Sequence, residues 1–152
     1  TLDEDANILI RLKNGGKGSI SVSQIATGEE NALRIKIYAS KGAIVWDQEN
    51  PNYMEVFKYS EKRQGYTRNA AYNGGSAKAV CRIPTGHPEG YLEAFANIYC
   101  GACEAIRAHI DGKPLSPSDY AFPSVMDGYR GMLFVTRAVE SDNAGSIWKK
   151  MA

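Results

Sequence analysis

The feature that most constrains the fold of this 152-residue chain is a change in its hydrophobic periodicity near Pro84. Before Pro84, apolar residues alternate with other residues at period two, as Ile8, Ile10 and Leu12 do. After Pro84, they recur at spacings of three and four. Period two is typical of half-buried strands, and the longer period is typical of amphipathic helices. The sequence therefore predicts strands first and helices afterwards, which is the order of an α+β fold.

The strand region divides into two predicted hairpins and two further strands. Asn14-Gly15-Gly16 separates the first pair of alternating runs and supplies the positive φ angles that a tight turn requires. Ser40-Lys41-Gly42 separates the second pair, residues 33–38 and 43–47. Residues 53–59 and 66–69 are predicted as further strands, and 70–78, rich in Ala, Gly and Asn, as a loop.

Two helices are predicted after Pro84. The first lies within residues 88–112, and its narrow polar stripe comprises Glu93, Asn97, Cys100, Glu104, Arg107 and Asp111. Because the rest of its circumference is apolar, we expect this helix to be buried over more than half its surface, across the sheet. The second runs from an N-cap at Ser124 to about residue 141, with Gly145 beyond its end.

These patterns predict a single domain over residues 1–152, with an open-faced, mainly antiparallel sheet and helices packed on one face. The other face of that sheet is predicted to be either solvated or paired with a second copy of the chain. Its predicted members are Arg11, Ser19, Ser21, Ser23, Arg34, Lys36 and Tyr38.

Charge and apolar content narrow the possible partners and location. Eighteen basic and seventeen acidic residues leave a net charge of +1, and no segment concentrates one sign. We therefore expect no nucleic-acid or membrane-surface partner. No apolar run is long enough for a membrane span and residues 1–10 lack a signal-peptide pattern, so a cytoplasmic location is expected. Because residue 1 is Thr and not Met, we also expect the chain to be a fragment or a processed product.

Candidate chemistry is sparse. Cys100-Gly-Ala-Cys103 lacks a second ligand pair for zinc, so the two thiols are interpreted as helix-packing residues and no metal site is expected. The segment around His87 is the better candidate, since a histidine, Glu89 and Tyr91 lie where a loop enters a helix. These residues either cap the helix or face a ligand, and the residues alone leave both readings open.

The run GHPEGYLEAFANIY carries a resemblance that spans almost the whole chain. Together with SQIATGEEN, LRIKIYASKG and PSVMDGYRGMLFVTRAVESDNAGSIW, it resembles the C-terminal domain of the glucose-fructose oxidoreductase and inositol dehydrogenase family (Gfo/Idh/MocA). The resemblance implies a two-domain, NAD- or NADP-dependent oxidoreductase of sugars or polyols. The C-terminal half of such an enzyme forms an open sheet that shapes the substrate pocket and mediates oligomers.

What the resemblance implies for individual residues is limited by what this chain lacks. The family's Rossmann domain, its catalytic lysine and its catalytic Asp and His have no counterpart here, so neither a catalytic residue nor a cofactor site is expected in this fragment. His87, Glu89 and Tyr91 become candidates for the substrate side of the cleft, and Gln24 and Asn31 are further candidates at its rim.

Three functions from different classes follow from this reading. The first is a substrate-binding and assembly domain, inactive alone, of an oxidoreductase that uses NAD or NADP in its full-length form. The second is a stand-alone oligomerisation or ligand-binding module without redox activity. The third is a small independent enzyme or binding protein built around His87 and Glu89.

Overall fold

The computed structural model describes residues 3–116 and 119–151. Within these ranges the α+β class with antiparallel sheets is confirmed. The strands are β1 (Asp5–Arg11), β2 (Lys17–Ser23), β3 (Arg34–Ala39), β4 (Gly42–Asp47), β5 (Tyr53–Lys58) and β6 (Gln64–Thr67). The helices are α1 (Gly75–Ala79), α2 (Tyr91–Ile110) and α3 (Val125–Asn143).

The chain divides into two compact units, one formed by residues up to Glu30 together with those from Pro123 onward, and the other by Asn31–Phe122. In the first unit, β1 and β2 form the predicted hairpin, with Ile8 opposite Ile20. Its turn closes through a hydrogen bond from Leu12 N–H to the Gly16 carbonyl at 2.8 Å, and Gly15 supplies a φ of +87°. The Arg11 guanidinium lies 4.0 Å from the centre of the Trp148 ring.

Helix α3, also in the first unit, begins as the sequence predicts. The Ser124 hydroxyl accepts a hydrogen bond from Asp127 N–H at 3.3 Å, and the Asp127 carboxylate accepts one from Ser124 N–H at 2.8 Å. This reciprocal capping box satisfies backbone donors that the first turn of a helix leaves free. Gly145, with a φ of +83°, follows the helix end.

The second unit is built on a four-stranded antiparallel meander in the order β3-β4-β5-β6. The second predicted hairpin is confirmed, with Ala39 opposite Gly42 across a turn of two residues. A Cβ atom at Gly42 would lie 2.1 Å from the Phe57 carbonyl oxygen, so only glycine allows β5 to approach at this point.

The register assigns the side chains of this meander to two faces with different chemistry. One face, which we call the open face, mixes charged, aromatic and aliphatic side chains. Its members are Arg34, Lys36, Tyr38, Ala43, Val45, Asp47, Tyr53, Glu55 and Phe57. The opposite face is mostly apolar and carries Ile35, Ile37, Ile44, Trp46, Met54, Val56 and Tyr66.

The prediction that Arg11, Ser19, Ser21 and Ser23 share one sheet face with Arg34, Lys36 and Tyr38 is wrong. In the described ranges β1 and β2 pair with each other, and β3–β6 form a separate sheet. Period-two patterning identifies strands but carries no information on which hairpins join into one sheet.

Helix α2 has the predicted extent but presents its faces differently. The polar residues Glu93 and Asn97 are partly buried, because the Asn97 side-chain amide donates to the Val80 carbonyl at 2.9 Å and Gly90 N–H donates to Glu93 at 2.8 Å. Buried Gly101 lets Ala121 and Phe122 approach the helix closely.

The broad apolar side of α2 is exposed, contrary to the prediction that it is buried. This apolar stripe comprises Tyr91, Leu92, Phe95, Ile98, Tyr99, Ile106 and Ile110, each at least 41% exposed. The segment predicted as a loop also contains α1, a short helix that the helix-favouring run Ser76-Ala77-Lys78-Ala79 explains.

Candidate functional site

The best candidate site is the loop of residues 82–90, which we call the His87 loop, between α1 and α2. Pro84, Gly86 and Pro88 determine its backbone: Gly86 has a φ of +89°, and His87 N–H closes a turn on the Pro84 carbonyl at 3.2 Å. The prolines restrict φ on either side of that turn, which limits the backbone conformations open to a loop without regular secondary structure.

The guanidinium of Arg68, at the end of β6, organises this loop. Its Nε donates to the Asn52 side-chain oxygen at 2.8 Å and Nη1 donates to the Ile83 carbonyl at 2.9 Å. Nη1 also pairs with the Glu89 carboxylate. Nη2 donates to the carbonyls of Pro84, at 3.3 Å, and His87. Arg68 therefore contacts three backbone carbonyls of the His87 loop as well as its acidic residue.

Glu89 is the buried member of this pair. Its side chain is 6% exposed and that of Arg68 is 14% exposed. The Glu89 carboxylate also accepts a hydrogen bond from Arg82 N–H at 2.7 Å, and Glu89 N–H donates to Asn52 at 3.1 Å. A carboxylate can be buried at such a site because the opposite charge and the backbone donor replace its hydration.

The other two predicted residues of this loop region are on the surface. His87 is exposed, and it contributes its backbone carbonyl to Arg68. Tyr91, the first residue of α2, is 67% exposed and lies against Phe95 with ring centres 4.8 Å apart. The structure thus brings His87, Glu89 and Tyr91 together in one region. Glu89 is buried in its pair with Arg68, and the rings of His87 and Tyr91 are exposed.

A second pair of opposite charges lies beside the first. Gly90 N–H donates to the Glu93 carboxylate, and this hydrogen bond lowers the pKa of Glu93, with smaller contributions from the positive charges of Arg82 and Arg68. Arg82 also donates through Nη1 to the Glu93 carbonyl at 3.0 Å. Two cationic and two anionic side chains therefore balance in this region.

The two rim candidates belong to different units. Gln24 follows β2 in the first unit, where its N–H donates to the Glu4 carbonyl at 2.8 Å. Asn31 is exposed at the start of the second unit, and its side-chain amide donates to Gln48. The structure does not place Asn31 among the hydrogen-bond partners described for the His87 loop.

Arg68 and Asn52 are the residues that sequence reasoning missed. The sequence pattern indicates only a strand at residues 66–69 and only a break between strands at Asn50-Pro51-Asn52. The sequence does carry one signal, since an arginine at the end of a predicted strand and a glutamate between Pro88 and Gly90 have the opposite charges that a buried pair needs.

The cysteines form no metal centre in the part of the chain that the structure describes. Cys100 and Cys103 are exposed, so their interpretation as packing thiols is wrong; Gly101 between them makes the close contact instead. No group of three or more His, Cys, Asp or Glu side chains that could hold a metal ion occurs among the described residues. Across residues 3–116 and 119–151, no helix combines the length and apolar character of a membrane span.

The described residues do not fit a dinucleotide of the Rossmann type. Such a site needs parallel strands joined by a glycine turn that opens a helix. The strand pairings within both described ranges are antiparallel, and α2 follows the proline-bounded His87 loop. We therefore derive no chemical step through NAD from these residues.

Comparison with known proteins identifies the family. Residues 2–151 match the Gfo/Idh/MocA model for the oxidoreductase family, C-terminal alpha/beta domain. The chain belongs to this family and corresponds to its C-terminal domain, as its sequence motifs indicate.

Individual relatives agree with this assignment. An oxidoreductase structure from Sinorhizobium meliloti is 42% identical, with a TM-score of 0.89 over 98% of this chain. The structure of an inositol dehydrogenase homolog from Azotobacter vinelandii, complexed with NADH and myo-inositol, is 26% identical, with a TM-score of 0.92 over 97% of this chain. The uncharacterized oxidoreductase YfiI of Bacillus subtilis is 31% identical over 147 residues, which are 97% of this chain.

All three relatives are much longer than this chain. It covers 42% of the Sinorhizobium protein, 39% of the Azotobacter protein and 37% of the Bacillus protein.

Proposed function

We propose that this chain is the substrate-binding and assembly domain of an oxidoreductase that uses NAD or NADP and acts on a neutral polyol or carbohydrate. Membership of the family supports the oxidoreductase class. The NADH and myo-inositol bound by the Azotobacter relative support the cofactor and substrate classes. We further propose that residues 1–152 act as one domain and that hydride transfer requires parts of a longer protein.

The observation that carries the substrate assignment is the His87 loop. The His87 imidazole is exposed in this loop, and the Tyr91 ring is exposed at the start of α2. The positive charges of Arg68 and Arg82 are balanced by the negative charges of Glu89 and Glu93. A neutral ligand suits such a site, because binding it leaves no charged side chain without its partner. An anion, in contrast, would meet no uncompensated cation there. An imidazole and a phenol supply the donors and acceptors that hydroxyl groups need.

The open face supports the assembly role. It carries ion pairs, Arg34 with Asp47 at 3.2 Å and Arg63 with Glu55, beside a Tyr38 side chain that is 75% exposed. Exposed aromatic residues interspersed with paired charges are typical of protein interfaces, and a second copy can meet the same surface isologously. We propose a homo-oligomer through this face.

A titration of the ¹⁵N-labelled chain with myo-inositol, followed by NMR, tests the substrate assignment. We expect saturable shifts of amides in the His87 loop, and His87→Ala should weaken binding by about tenfold, the equivalent of one lost hydrogen bond. His109→Ala is the matched control, because it removes the same side chain at the far end of α2, about 30 Å away.

Equal weakening by both substitutions, or shifts confined to residues outside the loop, would contradict the assignment.

Addition of NADH to the isolated chain distinguishes the oxidoreductase-domain hypothesis from that of an independent enzyme. We expect no saturable change in NADH fluorescence, and a defined stoichiometry of binding would favour the independent enzyme.

A further inference from the structure

We propose that Arg68 is the positioning residue of the candidate substrate site: it holds the His87 loop in the conformation that exposes the imidazole. The inference rests on the proposed function, since it deepens the role assigned there to the same loop. Arg68 itself is shielded from solvent, whereas His87 and Tyr91 are exposed.

The first argument is the complete use of the guanidinium. Arginine has five N–H donors in a planar fork. The structure provides five acceptors for them, namely Asn52, the carbonyls of Ile83, Pro84 and His87, and the Glu89 carboxylate. Arg68 therefore has no donor left for a ligand, and its role is to hold other groups.

The second argument concerns the loop itself. Within the described residues, one backbone hydrogen bond joins two residues of the loop, from His87 N–H to the Pro84 carbonyl. The carbonyls of residues 83, 84 and 87 all point to Arg68, with Asn69 adding a second donor to Ile83 at 2.8 Å. Without the guanidinium, the Pro84 and His87 carbonyls lose the buried donor that fixes the peptide plane next to the imidazole.

The third argument is charge. Glu89 neutralises Arg68, which allows the fork to be buried under a site that remains neutral on its surface. Lysine would keep the charge but offers three donors from a single nitrogen, so it cannot serve five acceptors spread over the loop. The geometry therefore requires arginine specifically.

Amide hydrogen exchange in the 152-residue chain tests the proposal with a matched pair, Arg68→Lys and Arg63→Lys. Arg63 is an exposed arginine that pairs with Glu55 on the same sheet. At a temperature well below the midpoint of unfolding, we expect Arg68→Lys to accelerate exchange of the Arg82 and Glu89 amides by at least about tenfold. Such an increase would report a local opening of the loop. The His87 imidazole resonances should shift, while amides of β4 and β5 keep their protection. Arg63→Lys should change neither.

Unchanged loop amides and an unchanged imidazole in Arg68→Lys would overturn the proposal. So would equal acceleration throughout the chain, which marks a purely structural role. If Arg68→Lys does not fold, Asn52→Ala replaces it, because this change removes the acceptor of Nε without leaving a buried charge. It also removes the acceptor of Glu89 N–H, so exchange is then measured at the Arg82 amide together with the His87 imidazole resonances, and the same two outcomes decide. Failure of wild-type chain to bind myo-inositol would count against the proposed substrate assignment alone, since the exchange result does not depend on ligand.

Discussion

At the scale of single residues, Gly42 shows how a close backbone contact determines an amino acid. The glycine begins β4 and lies against β5, where an added Cβ would lie 2.1 Å from the Phe57 carbonyl oxygen. That oxygen belongs to the backbone and cannot turn away. Any side chain at residue 42 must therefore push two paired strands apart.

We expect Gly42→Ala to destabilise the chain by about 1–3 kcal/mol, the usual cost of overpacking a well-packed site. Chemical denaturation monitored by circular dichroism measures the free energy of unfolding. The control is Gly65→Ala on β6, where nothing lies within 4 Å of the added Cβ. That change should stabilise the chain by about 0.5 kcal/mol, because alanine costs less backbone entropy than glycine in a strand. A Gly42→Ala chain as stable as the control would show that β5 does not pack on Gly42.

Single residues also mark the limit of prediction from sequence. The turn glycines at 15 and 42 were predictable, because a hairpin of known length demands particular backbone angles at particular positions. Local features also indicate His87, Glu89 and Tyr91, and their proximity follows from their spacing. Arg68 was not predictable in this way, since all its acceptors lie between 15 and 21 residues away in sequence, and only the folded chain brings them together.

At the scale of elements, helix α3 shows which features a sequence predicts well. A capping residue, a run of helical periodicity and a terminal glycine are all local, and the structure has all three where the sequence places them. The orientation of α2 is not local. Asn97 of its polar stripe donates to the Val80 carbonyl, and Arg82 donates to the Glu93 carbonyl. Hydrophobic periodicity alone does not report such contacts between distant backbone groups and side chains.

The capping box of α3 makes a prediction about pH. Hydrogen bonds from the Ser124 hydroxyl, and then from its backbone N–H, lower the pKa of Asp127. The ionised carboxylate therefore stabilises the folded chain above about pH 4, where an unfolded aspartate is already charged, and this contribution is lost as the pH falls through the lower folded-state pKa.

We expect Asp127→Asn to lower the thermal midpoint near neutral pH and to leave it equal to that of the wild type near about pH 2. Ser124→Ala removes the other half of the box and should cost about 1 kcal/mol near neutral pH. Thermal melts between these pH values measure both effects. A pH-independent difference between Asp127→Asn and wild type would show that the charge of Asp127 does not act on the helix.

At the scale of the whole molecule, assembly through the open face can be tested on this 152-residue chain alone. Tyr38→Glu places a charge on the most exposed aromatic side chain of that face. We expect it to raise the dissociation constant of an oligomer at least about tenfold, the usual effect of disrupting a central aromatic contact. Sedimentation velocity over a range of concentrations measures the change.

Tyr99→Glu is the matched control, because Tyr99 on the apolar stripe of α2 is 68% exposed, close to the 75% of Tyr38. If Tyr99→Glu dissociates the oligomer and Tyr38→Glu does not, the interface lies on α2 and the assignment of the open face is wrong. A monomeric wild-type chain at every concentration would remove the assembly role from this chain.

Because several carbonyls of the His87 loop accept from the same arginine, we expect the length of this loop to vary little among relatives. Surface loops ordinarily accept insertions and deletions, because few contacts depend on their exact path. Here three carbonyls from a short stretch meet the two terminal nitrogens of one arginine, so adding or removing a residue between Ile83 and Glu89 would displace at least one of them. Relatives that keep an arginine and a glutamate at these positions should therefore keep the number of residues between 83 and 89, and a comparison of loop lengths would show whether they do.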